Sequence, residues 1–191
     1  MNTIHPSPRR PEAQCRVLTP FSGTVASLDS VPDPVFASGA IGAGIAVIPD
    51  PGVELVTVTA PLAGVVTRVL PHLYLLQAVP PQVTPAQATL QAAARWRRFA
   101  EAQDYPSVLI QLGIDTARLE GEGFNQHVEE GQFVPQGAPL CTYAPRELGR
   151  QGFDPLAVVV GLRLTPAELD FVAFPGEPIN PSACLFRLDV A

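Results

Sequence analysis

A chain of 191 residues, 47% hydrophobic and 16% charged, has the size and apolar content of one globular domain with a real core. Its 12 basic residues are all scattered arginines set against 18 acidic residues, a formal charge of −6, which argues against nucleic acid as a partner. Cys15, Cys141 and Cys184 are odd in number and far apart, excluding a CxxC pair and arguing against a disulfide framework.

Residues 1–14 lack the apolar h-region of a signal peptide, and no later apolar run approaches 18 residues, so a reducing cytoplasm is the expected setting, without membrane insertion. Residues 1–15 are expected to be a flexible tail, with one domain over 16–191. Alternating and β-branched runs read as strands at 16–28, broken by Pro20 and Gly23, then at 44–48, 53–59, 64–70 and 73–77.

An insertion over residues 78–107 follows. Thr84 and Pro85 give helix-start chemistry, and 86–103 continues in Ala, Gln, Leu and Arg, with Trp96 and Phe99 on one face. Pro80-Pro81 and Tyr105-Pro106 isolate this helix, which either packs on the sheet wall or serves as a lid or docking element. Further strands are expected at 108–113, 138–143, 157–162 and 184–190. Gly131 and Gly137 bracket a short strand that enters and leaves through tight turns. A second, short helix is expected from Thr165-Pro166-Ala167-Glu168 into 169–172. Many short strands with turn residues between them predict an all-β fold, an antiparallel β sandwich or flattened barrel with short helices plus the inserted one.

Six ordered motifs carry more. Thr19-Pro20-Phe21-Ser22-Gly23-Thr24-Val25, Val31-Pro32-Asp33-Pro34-Val35-Phe36, Ile41-Gly42-Ala43-Gly44-Ile45-Ala46-Val47-Ile48-Pro49, Ala60-Pro61-Leu62-Ala63-Gly64, Leu112-Gly113-Ile114-Asp115-Thr116 and Leu119-Glu120-Gly121-Glu122-Gly123-Phe124 resemble, in order, the successive motifs of the glucose-type enzyme IIA of the bacterial phosphoenolpyruvate-dependent sugar phosphotransferase system. The resemblance runs from about Arg16 to Val190, apart from the insertion. It implies an antiparallel β sandwich with few, short helices and no cofactor.

The resemblance also implies phosphoryl relay. A histidine on the strand at 109–113 takes a phosphoryl group from the small histidine phosphocarrier protein and passes it to a IIB cysteine, with a second histidine beside it. Here Gln111 falls at the first histidine's place and His72 at the second's. A carboxamide nitrogen is delocalised into its carbonyl and is not nucleophilic, so Gln111 can mimic only an imidazole's hydrogen bonds. The relay is therefore expected to be absent or crippled, leaving a binding or regulatory module. The alternative is a relay relocated to His72, with Arg95, Arg97 or Arg98 of the insertion holding phosphate.

By the same resemblance, Val35, Phe36, Ile41 and Ile45 belong to the apolar ring that meets protein partners. Asp115, through hydrogen bonds, and Thr116 support the site. Zinc, which members with both histidines can share with a partner's carboxylate, is not expected, because one ligand is missing. The implied partners are the histidine phosphocarrier protein and a sugar-transporter IIB/IIC protein or a regulated enzyme, with membrane association only through a transporter. Because the insertion joins the His72 strand to the Gln111 strand, it is expected to start and finish near that site and to be able to cover it.

Overall fold

The structure is a computed structural model that describes residues 13–79 and 105–190. Its large sheet has eight strands in the order β13 (Pro178–Ile179), β2 (Gly23–Ala26), β3 (Gly42–Pro49), β11 (Ala157–Leu162), β7 (Ser107–Leu112), β6 (Leu73–Ala78), β5 (Gly64–Leu70) and β9 (Phe133–Val134). Two three-stranded sheets accompany it, β1 (Ala13–Leu18) with β14 (Cys184–Val190) and β12 (Leu169–Phe171), and β4 (Val56–Thr59) with β10 (Pro139–Tyr143) and β8 (Phe124–Gln126). Every pairing is antiparallel. The sandwich form of the expectation holds, since the sheets among the described residues do not close into a barrel. Among those residues, no helix is long and apolar enough to cross a membrane.

β1 is already under way at Ala13, opposite Val190, ahead of the domain start expected at Arg16. The expected helix over 84–103, with Trp96, Phe99 and the three arginines, lies outside the described residues. The helix expected from Thr165 is corrected. Pro166–Glu168 makes a single 3-10 turn, closed where Glu168 Oε2 accepts from the Thr165 N–H at 2.8 Å, and the chain then enters β12. Leu169 decides the outcome: it is buried and pairs with Leu188 of β14, so tertiary packing overrides a local helix start. A short helix the sequence reading missed, α2 (Pro145–Arg150), follows β10.

The central strands of the large sheet are apolar on both faces. On β7, Val108, Ile110 and Leu112 point into the main core with Tyr74, Leu76, Val159 and Ile45. The alternate positions Leu109 and Gln111 point the other way, as the two-residue period of a strand requires. On that second face Leu109 joins a smaller apolar cluster with Ala46, Val158, Val160, Ile114 and Leu156. Among the described residues, α1 (Pro34–Ala37) and the turn before it pack against this cluster through Phe36, Val31 and Leu28. Asp33 starts α1 by accepting from the Val35 N–H at 2.8 Å and the Phe36 N–H at 3.3 Å, and Phe36 then plugs α1 into the cluster. All three cysteines are free thiols.

Phe36→Ala removes this plug. The expected loss is about 3 kcal/mol of unfolding free energy in a denaturant titration, with the strand content of the circular dichroism spectrum unchanged. An unshifted midpoint would mean that α1 is not held through Phe36.

Candidate functional site

The second face is where a polar side chain interrupts the apolar pattern. Gln111 lies on β7 between Leu73 of β6 and Val158 of β11, and it is 9% exposed. Its Nε2 donates to the Gly113 carbonyl at 3.0 Å. Reversing the amide would set Oε1 against that carbonyl oxygen, two acceptors facing each other, so the orientation is chemically fixed.

The acceptor is itself held in place. Gly113 has φ +69°, the left-handed region that favours glycine, and a Cβ there would stand 2.5 Å from Thr116 Cγ2 and 3.1 Å from the Asp154 carbonyl oxygen. Thr116 is fully buried, and its hydroxyl donates to the Leu112 carbonyl at 2.7 Å, with a longer 3.4 Å contact to the Gly113 carbonyl. The Gly113 and Ile114 N–H groups donate to Leu156 and Asp154 carbonyls. The backbone that presents the Gly113 oxygen is therefore tied on several sides.

His72 sits in the turn between β5 and β6. Its carbonyl accepts from the Leu112 N–H at 2.8 Å, which locks the turn to the end of β7 one residue beyond Gln111. The ring is half-buried and edge-on to Phe124, with centroids 6.5 Å apart. Phe124 in turn lies parallel to the buried Tyr143 ring at 6.0 Å. Among the described residues the imidazole makes no hydrogen bond. Burial lowers its pKa from the usual 6.5, so the ring is neutral at pH 7. The loop carrying Phe124 is seated on the turn at Gly121, where a Cβ would come within 3.1 Å of Pro71 Cγ.

The expected site residues divide. His72, Gln111 and Thr116 come together at the end of β7. Asp115 is beside them, but its exposed carboxylate makes no hydrogen bond among the described residues, so its expected hydrogen-bonding role falls to Thr116. Val35, on α1, is 48% exposed and Ile41 is half-buried, so both offer surface. Phe36 is 8% exposed and anchors α1. Ile45 is corrected: it is 3% exposed and opposite Val159 in the main core, so it presents nothing to a partner. The odd positions of β3 face inward there, and only the pairing register shows it.

Leu73 and Phe124 belong to the site although no role was expected of them. Phe124 ends the run that begins at Leu119, directly after Gly121 and Gly123, and such a tight loop could have marked it as the packing neighbour of a turn. The points where the insertion joins are also corrected, while the helix expected to be able to cover the site lies outside the described residues. On the β6–β7 pair, Leu73 stands opposite Gln111 at one end and Gln77 opposite Ser107 at the other. The insertion joins at the Ser107 end, four residues from Gln111 or about 13 Å along the strand.

Two surface hollows, of about 370 and 250 Å³, lie elsewhere, one against Leu28, Gly42 and Phe171, the other against Phe21, Leu55 and Pro181. Among the described residues no three His, Cys, Asp or Glu side chains gather as a metal would need. What the Gln111 face offers is an apolar surface around one fixed amide, with the neutral His72 imidazole packed against Phe124 in the neighbouring turn.

The family model described as phosphoenolpyruvate-dependent sugar phosphotransferase system, EIIA 1, matches residues 15–80 and 83–164. The glucose-specific EIIA component of Oceanobacillus iheyensis is 31% identical over 70% of this chain and 66% of that protein. The glucosamine-specific EIICBA component of Bacillus subtilis is 32% identical over 75% of this chain but only 18% of that protein. The chain thus spans less than two thirds of the length of these relatives. The glucose permease IIA from Mycoplasma capricolum has the same fold, with a TM-score of 0.67 at 21% identity over 92% of this chain and 96% of that one.

Gly113→Ala forces a left-handed backbone on a residue with a Cβ and pushes Thr116 away, so thermal or chemical unfolding is expected to show a loss of about 1–3 kcal/mol. His72 gives a pH signature. Its folded pKa lies below the unfolded 6.5, so the unfolded state binds the proton more readily. Stability is full above pH 6.5 and declines as pH falls from there towards the folded pKa. His72→Gln is expected to flatten this part of the stability profile, and identical profiles for the two proteins would refute the assignment.

Proposed function

The chain belongs to the EIIA 1 family of the phosphoenolpyruvate-dependent sugar phosphotransferase system, and on that premise we propose that it is a degenerate phosphocarrier acting as a binding or regulatory module. The observation carrying this reading is Gln111, set in the apolar second face with its nitrogen bonded to the Gly113 carbonyl. In the family's scheme this position holds the phosphoacceptor histidine. A carboxamide there keeps the hydrogen-bond geometry and lacks the nucleophile.

The docking surface comprises Val35, Ile41 and Leu73, with Phe36 holding α1 in place beneath it. Its partners are the histidine phosphocarrier protein and a sugar-transporter IIB/IIC protein or a regulated enzyme. The module spans residues 16–191, extended by the start of β1, with residues 78–107 as an insertion. It works in the cytoplasm and reaches a membrane only through a transporter.

A second reading, an active IIA component passing a phosphoryl group from the phosphocarrier to a IIB domain through His72, has one observation in its favour. The His72 imidazole is neutral and free of hydrogen bonds among the described residues, as a nucleophile must be.

Incubation with phosphoenolpyruvate, enzyme I and the phosphocarrier, read by intact mass, separates the two. The expected result is no adduct of about 80 Da on the wild-type chain and its appearance on Gln111→His. An adduct on the wild type that vanishes in His72→Gln would establish the second reading in place of the first.

A further inference from the structure

We propose that Gln111 makes this face selective for a partner that presents a hydrogen-bond donor, the N–H of an unphosphorylated imidazole, and unreceptive to the same partner once phosphorylated. The inference rests on the reading that the face docks proteins of the phosphotransferase system.

The amide of Gln111 has a fixed orientation. Nε2 is committed to the Gly113 carbonyl, and that carbonyl is positioned by the left-handed Gly113 and by Thr116. Among the described residues Oε1 accepts no hydrogen bond, and no fully buried side-chain nitrogen or oxygen is left without a partner, so Oε1 keeps a free lone pair and some solvent contact. The face therefore offers an incoming group a fixed acceptor. An imidazole at 111 would not be so restricted, because its nitrogens can serve as donor or acceptor according to tautomer.

A phosphoryl group carries a charge of about −1.5 to −2 and three acceptor oxygens. Against Oε1 it meets lone pair with lone pair. The adjoining loop adds the exposed carboxylates of Asp115, Glu120 and Glu122, with Arg118 as its one cation. His72, neutral in its half-buried setting, contributes no positive charge. A free imidazole N–H, by contrast, completes a hydrogen bond to Oε1 within an apolar surround, where such bonds are strongest.

The test is calorimetric titration of the full chain with the histidine phosphocarrier protein, either free or phosphorylated by enzyme I and phosphoenolpyruvate. The free carrier is expected to bind about tenfold or more tightly than the phosphorylated one. Gln111→Leu, which deletes Oε1, is expected to shrink that ratio, and Gln111→His to shrink or reverse it. Val35→Asp, on the exposed side of α1, should weaken both forms together. Equal affinity, or preference for the phosphorylated carrier, overturns the inference and leaves docking standing. Binding of neither form overturns both.

Discussion

The two-sided burial of the large sheet's central strands constrains everything near the site. Once β7 places Val108, Ile110 and Leu112 in the main core, the period of two sends Leu109 and Gln111 to the opposite face. A polar group there costs free energy unless it is bonded, and the nearest available acceptor is two residues along the same chain. Gly113 supplies that acceptor because it alone can take the left-handed turn in the space Thr116 leaves. The glycine, the threonine and the glutamine thus form one local solution to a problem set by the sheet.

The fold was legible where periodicity and turn chemistry agreed. The runs at 64–70, 157–162 and 184–190 became β5, β11 and β14 with those boundaries. Legibility failed where tertiary contacts outweighed local signals. Thr165-Pro166 carries genuine helix-start chemistry, but Leu169 gains more by pairing beside β14 than by continuing a helix. Of the site, the family resemblance implied that His72 and Thr116 stand near Gln111, and both are bonded to the neighbouring Leu112. Which apolar residues reach the surface was not: Ile45 lies within β3, opposite Val159 and in the main core, whereas Ile41 precedes the strand and stays half-buried against the second cluster.

The chemistry and the surface of this domain are separable properties. The apolar second face depends on many residues spread over β2, β3, β7 and β11, whereas on the proposed reading nucleophilicity would depend on a single side chain at 111. A change at 111 would alter that one polar group and leave the apolar face in place, and the glutamine present there is satisfied by the Gly113 carbonyl. His72 is held by a different set of contacts, the Leu112 N–H and the Phe124 ring, so its placement does not depend on what occupies position 111.

The place where residues 78–107 join the sheet has a consequence of its own. Ala78 and Ser107 are clasped by the β6–β7 ladder and by the Ala78 N–H bond to the Pro106 carbonyl at 2.9 Å, so the gap to be bridged is set by the sheet and not by the length of the bridge. Loop-closure entropy grows only logarithmically, about 0.6 kcal/mol for each doubling. By loop-closure entropy alone, a longer guest sequence at this end of the hairpin adds little cost, with the amide at 111 lying about 13 Å down the strand.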